Sequence, residues 1–341
     1  MPDDPQIAGG FDGNQVTDNG DPRSASIAGR FGAYFRRPAT RRAVIVVGRV
    51  VTIIAVLFVA YQVWLQLAAL GEFLQPSFLI GLLAAAIAYG GCAALLAIAW
   101  NQTLMMSGHR LSLEDAVSIY GRSHVLKYLP SNVLHLVGRY AMLRDRDVEH
   151  RTILSSTAAE IGLSVAVAVS IAAVLGGTVL VENLDIAGLS EGMMTAAIVA
   201  VVLITCGAVW ALVVLGSRGR FRLLGDGGPR AVATIATYVV YFLLFGGVTA
   251  VIAVAGGVSV DGNSYLALVG IAAAAWVVGL VTPGAPAGFG VREAVMIVAL
   301  EETSFADEAL LIALGLRVAT LAGDALLWAV AVLVERRQPR A

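Results

Sequence analysis

Charged residues are scarce in this sequence. Asp, Glu, Lys and Arg together make up 14% of its 341 residues, whereas the apolar set AVILMFWYC makes up 58%. A soluble domain has about 25% charged residues, and a water-soluble fold cannot bury this much apolar surface. The composition therefore excludes an ordinary soluble enzyme or binding module and predicts an all-α polytopic membrane protein.

Cysteine is almost absent too, and motifs for metals or nucleotides are missing. Cys92 and Cys206 lie in apolar runs without ligand spacing, so we expect both to be core residues rather than a disulfide or zinc site. His124 and His135 show no metal-ligand pattern and are interpreted as membrane-interface residues. No Walker A, G-x-S-x-G or H-E-x-x-H motif occurs. We therefore expect no cofactor, no metal and no catalytic residue.

Long apolar runs, by contrast, are abundant. A helix needs about 20 mostly apolar residues to cross about 30 Å of hydrocarbon. The sequence contains six such runs, which predict six spans. It also contains two ambiguous stretches, which leave a count of eight spans open. The runs are Ala43–Leu70, Phe78–Trp100, Ile153–Leu180, Met193–Leu215, Ala231–Ala255 and Ala309–Val334, and the ambiguous stretches are Ser112–Leu143 and Tyr265–Leu300.

Basic and acidic residues alternate between the connections of these runs. Lys and Arg occupy the connections before the first run, between the second and third, between the fourth and fifth, and after the sixth. The four loops on the other side, residues 71–77, 181–192, 256–264 and 301–308, contain Asp or Glu and no Lys or Arg. The positive-inside rule then places both termini in the cytoplasm, which predicts a multi-pass protein of the cytoplasmic (inner) membrane. Met1–Gly29 is rich in Asp, Gly, Asn and Pro, and residues 1–42 are expected to form a disordered cytoplasmic tail with a basic end. Residues 336–341 are expected to form a second cytoplasmic tail.

Two short motifs share the same spacing. Pro130 lies nine residues before Arg139, and Pro283 lies nine residues before Arg292. The offset of 153 residues between the motifs also superposes the apolar runs around them. Each half then has three spans, and because three is odd the second half runs in the opposite direction. This predicts an inverted-topology repeat, as in many secondary transporters. The repeats cover residues 43–180 and 193–335.

Each repeat also contains a stretch that proline interrupts. The first, about 112–143, carries too many charges for hydrocarbon, at about 2.5–3.5 kcal/mol each, and predicts a re-entrant helical hairpin that enters from the cytoplasmic side. The second, about 265–300, would be its mirror image, but its arms are apolar enough to cross fully, so six and eight spans both stay open. Open backbone in a membrane must be covered by protein or line a water-filled cavity, so both breaks should face a central cavity. The break residues are Pro130, Pro283, Gly284, Gly288 and Gly290.

Ionisable residues inside membrane segments are candidate functional residues. Arg317, Thr320 and Asp324 share one stripe of the last run; Asp324 needs a partner, and Arg317 lies two turns away on the same face. Arg139 and Arg292 end the two break motifs, and a guanidinium group suits phosphate oxygens. The candidate substrate-binding residues are Lys127, Asn132, Arg139, Glu160, Arg292, Glu293, Arg317 and Asp324.

Two segments, GRSHVLKYLPSNVLHLVGR and TPGAPAGFGVREAVM, resemble the lysylphosphatidylglycerol synthase transmembrane-region family. This family is the membrane half of the bacterial multiple-peptide-resistance lipid flippases and also occurs as stand-alone proteins. The resemblance covers about residues 43–335. It departs from the family at Ser131-Asn132, where a glycine pair is common, and at Ala285-Pro286. The residues that carry it are Lys127, Tyr128, Leu129, Pro130, Gly138 and Arg139, then Pro283, Gly284, Gly288, Gly290, Arg292 and Glu293.

The resemblance implies lipid translocation, and, since the soluble aminoacyl-transfer domain of the fused members is missing, it argues against aminoacyl transfer by this chain. We therefore expect a transporter that moves a phosphate-bearing lipid across the cytoplasmic membrane through the central cavity. The alternatives are a membrane-embedded transferase or accessory subunit acting on a lipid-linked sugar, and a small-solute channel. The expected partners are the membrane lipid, a second copy of the chain in a homodimer and a separate lipid-modifying enzyme, but no nucleic acid.

Overall fold

The structure is a computed structural model that describes Leu57, Gly207 and residues 75–129, 133–177, 228–283 and 285–337. The chain divides into two units, Met1–Ile45 and Val46–Ala341, and every described residue belongs to the second. The described part is helical, without a strand. Its helices are α1 (Pro76–Met106), α2 (Leu113–His124), α3 (Leu134–Arg144), α4 (His150–Ile171), α5 (Gly228–Ala255), α6 (Gly262–Val281), α7 (Val291–Glu301) and α8 (Ala309–Arg337).

Five of these helices are long and apolar enough to cross a membrane: α1, α4 with its π-helical continuation to Gly176, α5, α6 and α8. Their lengths of 20 to 31 residues are those of a multi-pass membrane protein. α1, α4, α5 and α8 coincide with four of the six predicted runs, and α6 lies in the second ambiguous stretch. Apart from Leu57 and Gly207, the runs Ala43–Leu70 and Met193–Leu215 lie outside the described residues.

The two ambiguous stretches differ in the length of their arms. The first broken segment consists of α2 with 12 residues, a 3-10 turn at Val125–Tyr128 and α3 with 11 residues. The second broken segment consists of α6 with 20 residues, a 3-10 turn at Pro286–Gly288 and α7 with 11 residues. At 1.5 Å per residue α7 spans about 16 Å, roughly half of the hydrocarbon core. The expectation that both arms of the second segment can cross is therefore wrong for α7.

Each break begins with an extended residue in front of a proline. Leu129 has ψ 155° and Thr282 has ψ 111°, because the ring of a following proline disfavours the helical region for the residue before it. α6 therefore ends at Val281, with Pro283 exposed. Pro130, Ser131, Asn132 and Gly284 lie outside the described residues.

The second break continues through a tight turn in left-handed backbone. Ala287, Gly288 and Gly290 have φ angles of 50°, 70° and 78°. Glycine adopts such angles without penalty, whereas a side chain at Ala287 is strained there. The turn brings the start of α7 back against the end of α6, where Gly279 and Arg292 meet.

Small residues let the long helices cross closely. α1 meets α8 at Gly90 and Gly323, where a Cβ on Gly323 would lie 2.7 Å from the carbonyl oxygen of Ala86. The end of the α4 continuation meets α6 at Gly176 and Gly270, where a Cβ on Gly270 would lie 2.3 Å from the Gly176 nitrogen. Such contacts are typical of membrane helices, which associate through close backbone packing.

Candidate functional site

A cavity of about 100 Å³ lies beside the contact between the two broken segments; we call it the central cavity. Because one water molecule needs about 10–15 Å³ of cavity volume, the central cavity has room for several waters or a small polar group. Tyrosines and Trp276 form much of its wall, and charged side chains from both broken segments and α4 reach into it. The charged and histidine residues of the lining are His124, Lys127, His135, Arg139, Glu160 and Arg292.

Arg139 lies on α3 and is held on three sides. It is 2% exposed, and its guanidinium donates to Oε2 of Glu160 on α4 at 2.5 Å. The same guanidinium stacks over the rings of Trp100 and Tyr120, with 4.8 and 4.3 Å to the ring centroids. Charge pairing and cation–π contacts together fix its position.

Asp324, near the middle of α8, is 1% exposed and receives its partners from the first broken segment. Lys127 Nζ lies 2.7 Å from Asp324 Oδ2, and the Tyr128 hydroxyl donates to the same oxygen. His124 Nε2 lies 3.4 Å from Asp324 Oδ1 and 2.7 Å from Lys127 Nζ. The sequence indicated that Asp324 needs a partner without identifying it, and the structure provides a lysine nearly 200 positions away in the sequence.

The two histidines of the central cavity are neutral at pH 7. Burial, reinforced by the positive charge of Lys127, lowers the pKa of His124 to about 4. Burial, reinforced by Arg139, lowers the pKa of His135 to about 3. The interpretation of His124 as a membrane-interface residue is wrong, since this side chain is buried against Tyr120 and Asp324.

A second cavity, of about 30 Å³, lies next to the central one. Its ion pair joins the second broken segment to α8: Arg317 Nε lies 3.3 Å from Oε1 of Glu293, and Arg317 also donates to the carbonyl oxygen of Ala287 at 3.3 Å. The Arg317 guanidinium stacks over the Phe289 ring at 4.9 Å. These contacts tie the left-handed turn of the second break to α8.

Arg292 borders both cavities. Its side chain passes between two glycines: a Cβ on Gly279 would lie 2.3 Å from the Arg292 Cγ, and one on Gly288 would lie 2.8 Å from its Nε. The guanidinium lies over Trp276 at 5.9 Å. Among the described residues it has no carboxylate within ion-pair distance, and its buried Nε donates no hydrogen bond.

The structure thus brings most of the candidate site residues together. Lys127, Arg139, Glu160 and Arg292 line the central cavity, and Arg292 with Glu293 and Arg317 lines the second. Asp324 contacts the central cavity through Lys127. Asn132 lies outside the described residues.

Sequence reasoning missed the aromatic part of the site. Trp100 and Tyr120 stack on Arg139, Trp276 lies beneath Arg292, and Tyr128 bonds to Asp324. In an apolar sequence such residues cannot be told from ordinary core residues. Only Tyr128 could have been selected from the sequence, because it follows Lys127 within the first break motif.

The described part of the chain holds no group of three or more His, Cys, Asp or Glu placed to bind a metal ion. No family model and no curated protein matches the sequence.

Proposed function

We propose that this chain moves a lipid with a phosphate-bearing head group across the cytoplasmic membrane. The observation that carries the proposal is the meeting of the two break motifs: Arg139 and Arg292, the last residues of motifs with equal spacing, line one cavity among five membrane-length helices. Ionisable side chains inside a membrane bundle are costly, and those that face a cavity typically mark a substrate pathway. A phosphate group is the part of a lipid that such guanidinium groups bind best.

In this proposal the two halves of the chain are inverted repeats, with both termini in the cytoplasm. Each repeat contributes one broken segment, and the two segments open the cavity alternately toward the two sides of the membrane. The head group passes through the cavity while the hydrocarbon chains stay in the lipid. A separate lipid-modifying enzyme would supply or use the lipid, and two chains would form a homodimer.

The two arginines have different roles in the described conformation. Arg139 forms an ion pair with Glu160, whereas Arg292 has no carboxylate partner among the described residues. The phosphate therefore binds Arg292 first. Arg139 takes part only after it leaves Glu160, so the head group exchanges for a carboxylate as the transporter changes conformation.

The test is translocation by the purified full-length chain in phospholipid vesicles that contain a trace of fluorescent phosphatidylglycerol. Dithionite bleaches only the outer leaflet, so the slow phase of bleaching reports movement of the probe from the inner leaflet. We expect Arg139→Ala and Arg292→Ala each to lower the translocation rate by about tenfold or more, since tenfold corresponds to only 1.4 kcal/mol of lost binding.

Arg337→Ala is the matched control, because Arg337 is an exposed arginine at the end of α8. Its rate should equal that of the unmodified chain. Translocation that is unchanged in both cavity variants would refute the assignment of the site, and vesicles in which the unmodified chain moves no probe would refute lipid transport.

A further inference from the structure

The charges around the two cavities do not cancel. Within the described residues, their linings hold four cationic side chains, whereas the carboxylates that line them or pair with those cations number three. The histidines add no charge at pH 7, because burial lowers the pKa of each. Three cations are paired, and Arg292 alone is left over. The pairs are Lys127 with Asp324 at 2.7 Å, Arg139 with Glu160 at 2.5 Å and Arg317 with Glu293 at 3.3 Å.

The unpaired cation also occupies a particular place. Arg292 and Trp276 are the two residues that the linings of the central and second cavities share. Gly279 and Gly288 leave the space through which the Arg292 side chain passes. The guanidinium is therefore accessible from either cavity, and a group bound to it lies between them.

Arg292 is partly buried, borders both cavities and has no carboxylate partner among the described residues; a bound anion would supply the opposite charge that such a cation favours. We infer that the site takes a ligand with a single negative charge at Arg292, as a phosphodiester provides, and discriminates against phosphomonoesters. The inference rests on the proposed function, since it specifies the ligand class of the same site.

The paired cations explain the discrimination. A phosphomonoester carries about 1.5 to 2 negative charges at pH 7, and its second charge finds no free cation in either described lining. Binding it would require Arg139 to leave Glu160, or Lys127 to leave Asp324, and either exchange leaves a carboxylate without its partner. A phosphodiester binds Arg292 in the described conformation without such an exchange, which it needs only later, when the transporter changes conformation.

The experiment compares two short-chain lipids that differ in this charge. Dihexanoyl phosphatidylglycerol is a phosphodiester and dihexanoyl phosphatidic acid is a phosphomonoester. Binding of each to the purified full-length chain in neutral detergent at pH 8 is measured by tryptophan fluorescence and by calorimetry. We expect the phosphodiester to bind at least tenfold more tightly.

Three variants test the charge count. Arg292→Gln should weaken phosphodiester binding by at least tenfold. Glu160→Gln frees Arg139 inside the same cavity and should move the preference at least tenfold toward the phosphomonoester. Arg337→Gln, an exposed arginine outside both linings, should leave both affinities unchanged.

Equal binding of the two lipids by the unmodified chain, or tighter binding of the phosphomonoester, overturns the inference without the help of any variant. Full phosphodiester affinity in Arg292→Gln overturns it too. Should Arg292→Gln fail to fold, the affinities of the unmodified chain and of Glu160→Gln decide. Selective binding without lipid movement in vesicles would support this inference and refute the proposed function, whereas movement without selectivity would do the reverse.

Discussion

The ion pair between Arg139 and Glu160 gives a stability prediction that depends on no assumption about function. Arg139 is almost completely buried, and the side chain of Glu160 is 12% exposed. Removing one partner of a buried pair typically costs about 3–5 kcal/mol, because the remaining charge is left without compensation. We expect Glu160→Gln to lower the free energy of unfolding by an amount in this range. Arg139→Gln should cost a similar amount, since it leaves a carboxylate unpaired and loses the stacking on Trp100 and Tyr120.

The double variant Arg139→Gln/Glu160→Gln should lose less than the sum of the two single losses. Neither charge then remains, so no buried group is left without its counter-charge. We expect a coupling energy of about 1–3 kcal/mol, as found for residues in one hydrogen-bond network. The measurement is unfolding of the purified chain in mixed micelles, followed by tryptophan fluorescence as the share of denaturing detergent rises.

An exposed pair provides the control. Arg146 donates to Asp115 at 3.2 Å, and their side chains are 35% and 28% exposed. Arg146→Gln should change the free energy of unfolding by less than about 1 kcal/mol, because solvent screens such pairs. Strictly additive losses in the Arg139 and Glu160 variants, or an equal effect of Arg146→Gln, would refute the reasoning.

Two further predictions concern the same region. Gly279→Ala should slow lipid movement in vesicles about tenfold, because the added methyl group would lie 2.3 Å from the Arg292 Cγ and displace that side chain; Gly91→Ala, whose methyl group meets nothing within 4 Å, should retain the full rate. Stability should fall as the pH drops from about 6.5 to about 4, since burial lowers the pKa of His124 to about 4 and that of His135 to about 3 from the ordinary 6.5. The unfolded chain then binds protons before the folded one. Thermal unfolding in detergent at several pH values checks this, and a flat profile, or one unaltered in His124→Gln/His135→Gln, contradicts it.

The long helices were predictable because their signal is local. A run of about 20 apolar residues is typical of a membrane-spanning helix, and α1, α4, α5 and α8 coincide with four of the predicted runs. The prolines marked both breaks for an equally local reason. The lengths of the arms were harder to predict, because the turn of the second break extends to Gly290 and α7 therefore begins only at Val291 and has 11 residues.

The candidate residues were predictable as a set, whereas their pairing was not. Charges in an apolar segment are conspicuous in the sequence, so Glu160, Arg317 and Asp324 could be selected. Their partners come from other segments, and no spacing along one helix reveals them. The sequence left the partner of Asp324 open, and its partners Lys127 and Tyr128 come from the first broken segment.

Helix α8 contributes to two of the three ion pairs around the cavities, each with a different broken segment. Asp324 bonds to Lys127 of the first segment, and Arg317, two turns earlier, bonds to Glu293 of the second. A displacement of either segment therefore acts on the same two turns of α8, between Arg317 and Asp324. The two segments are therefore coupled through α8, and neither can move away from this helix unless its ion pair with α8 breaks.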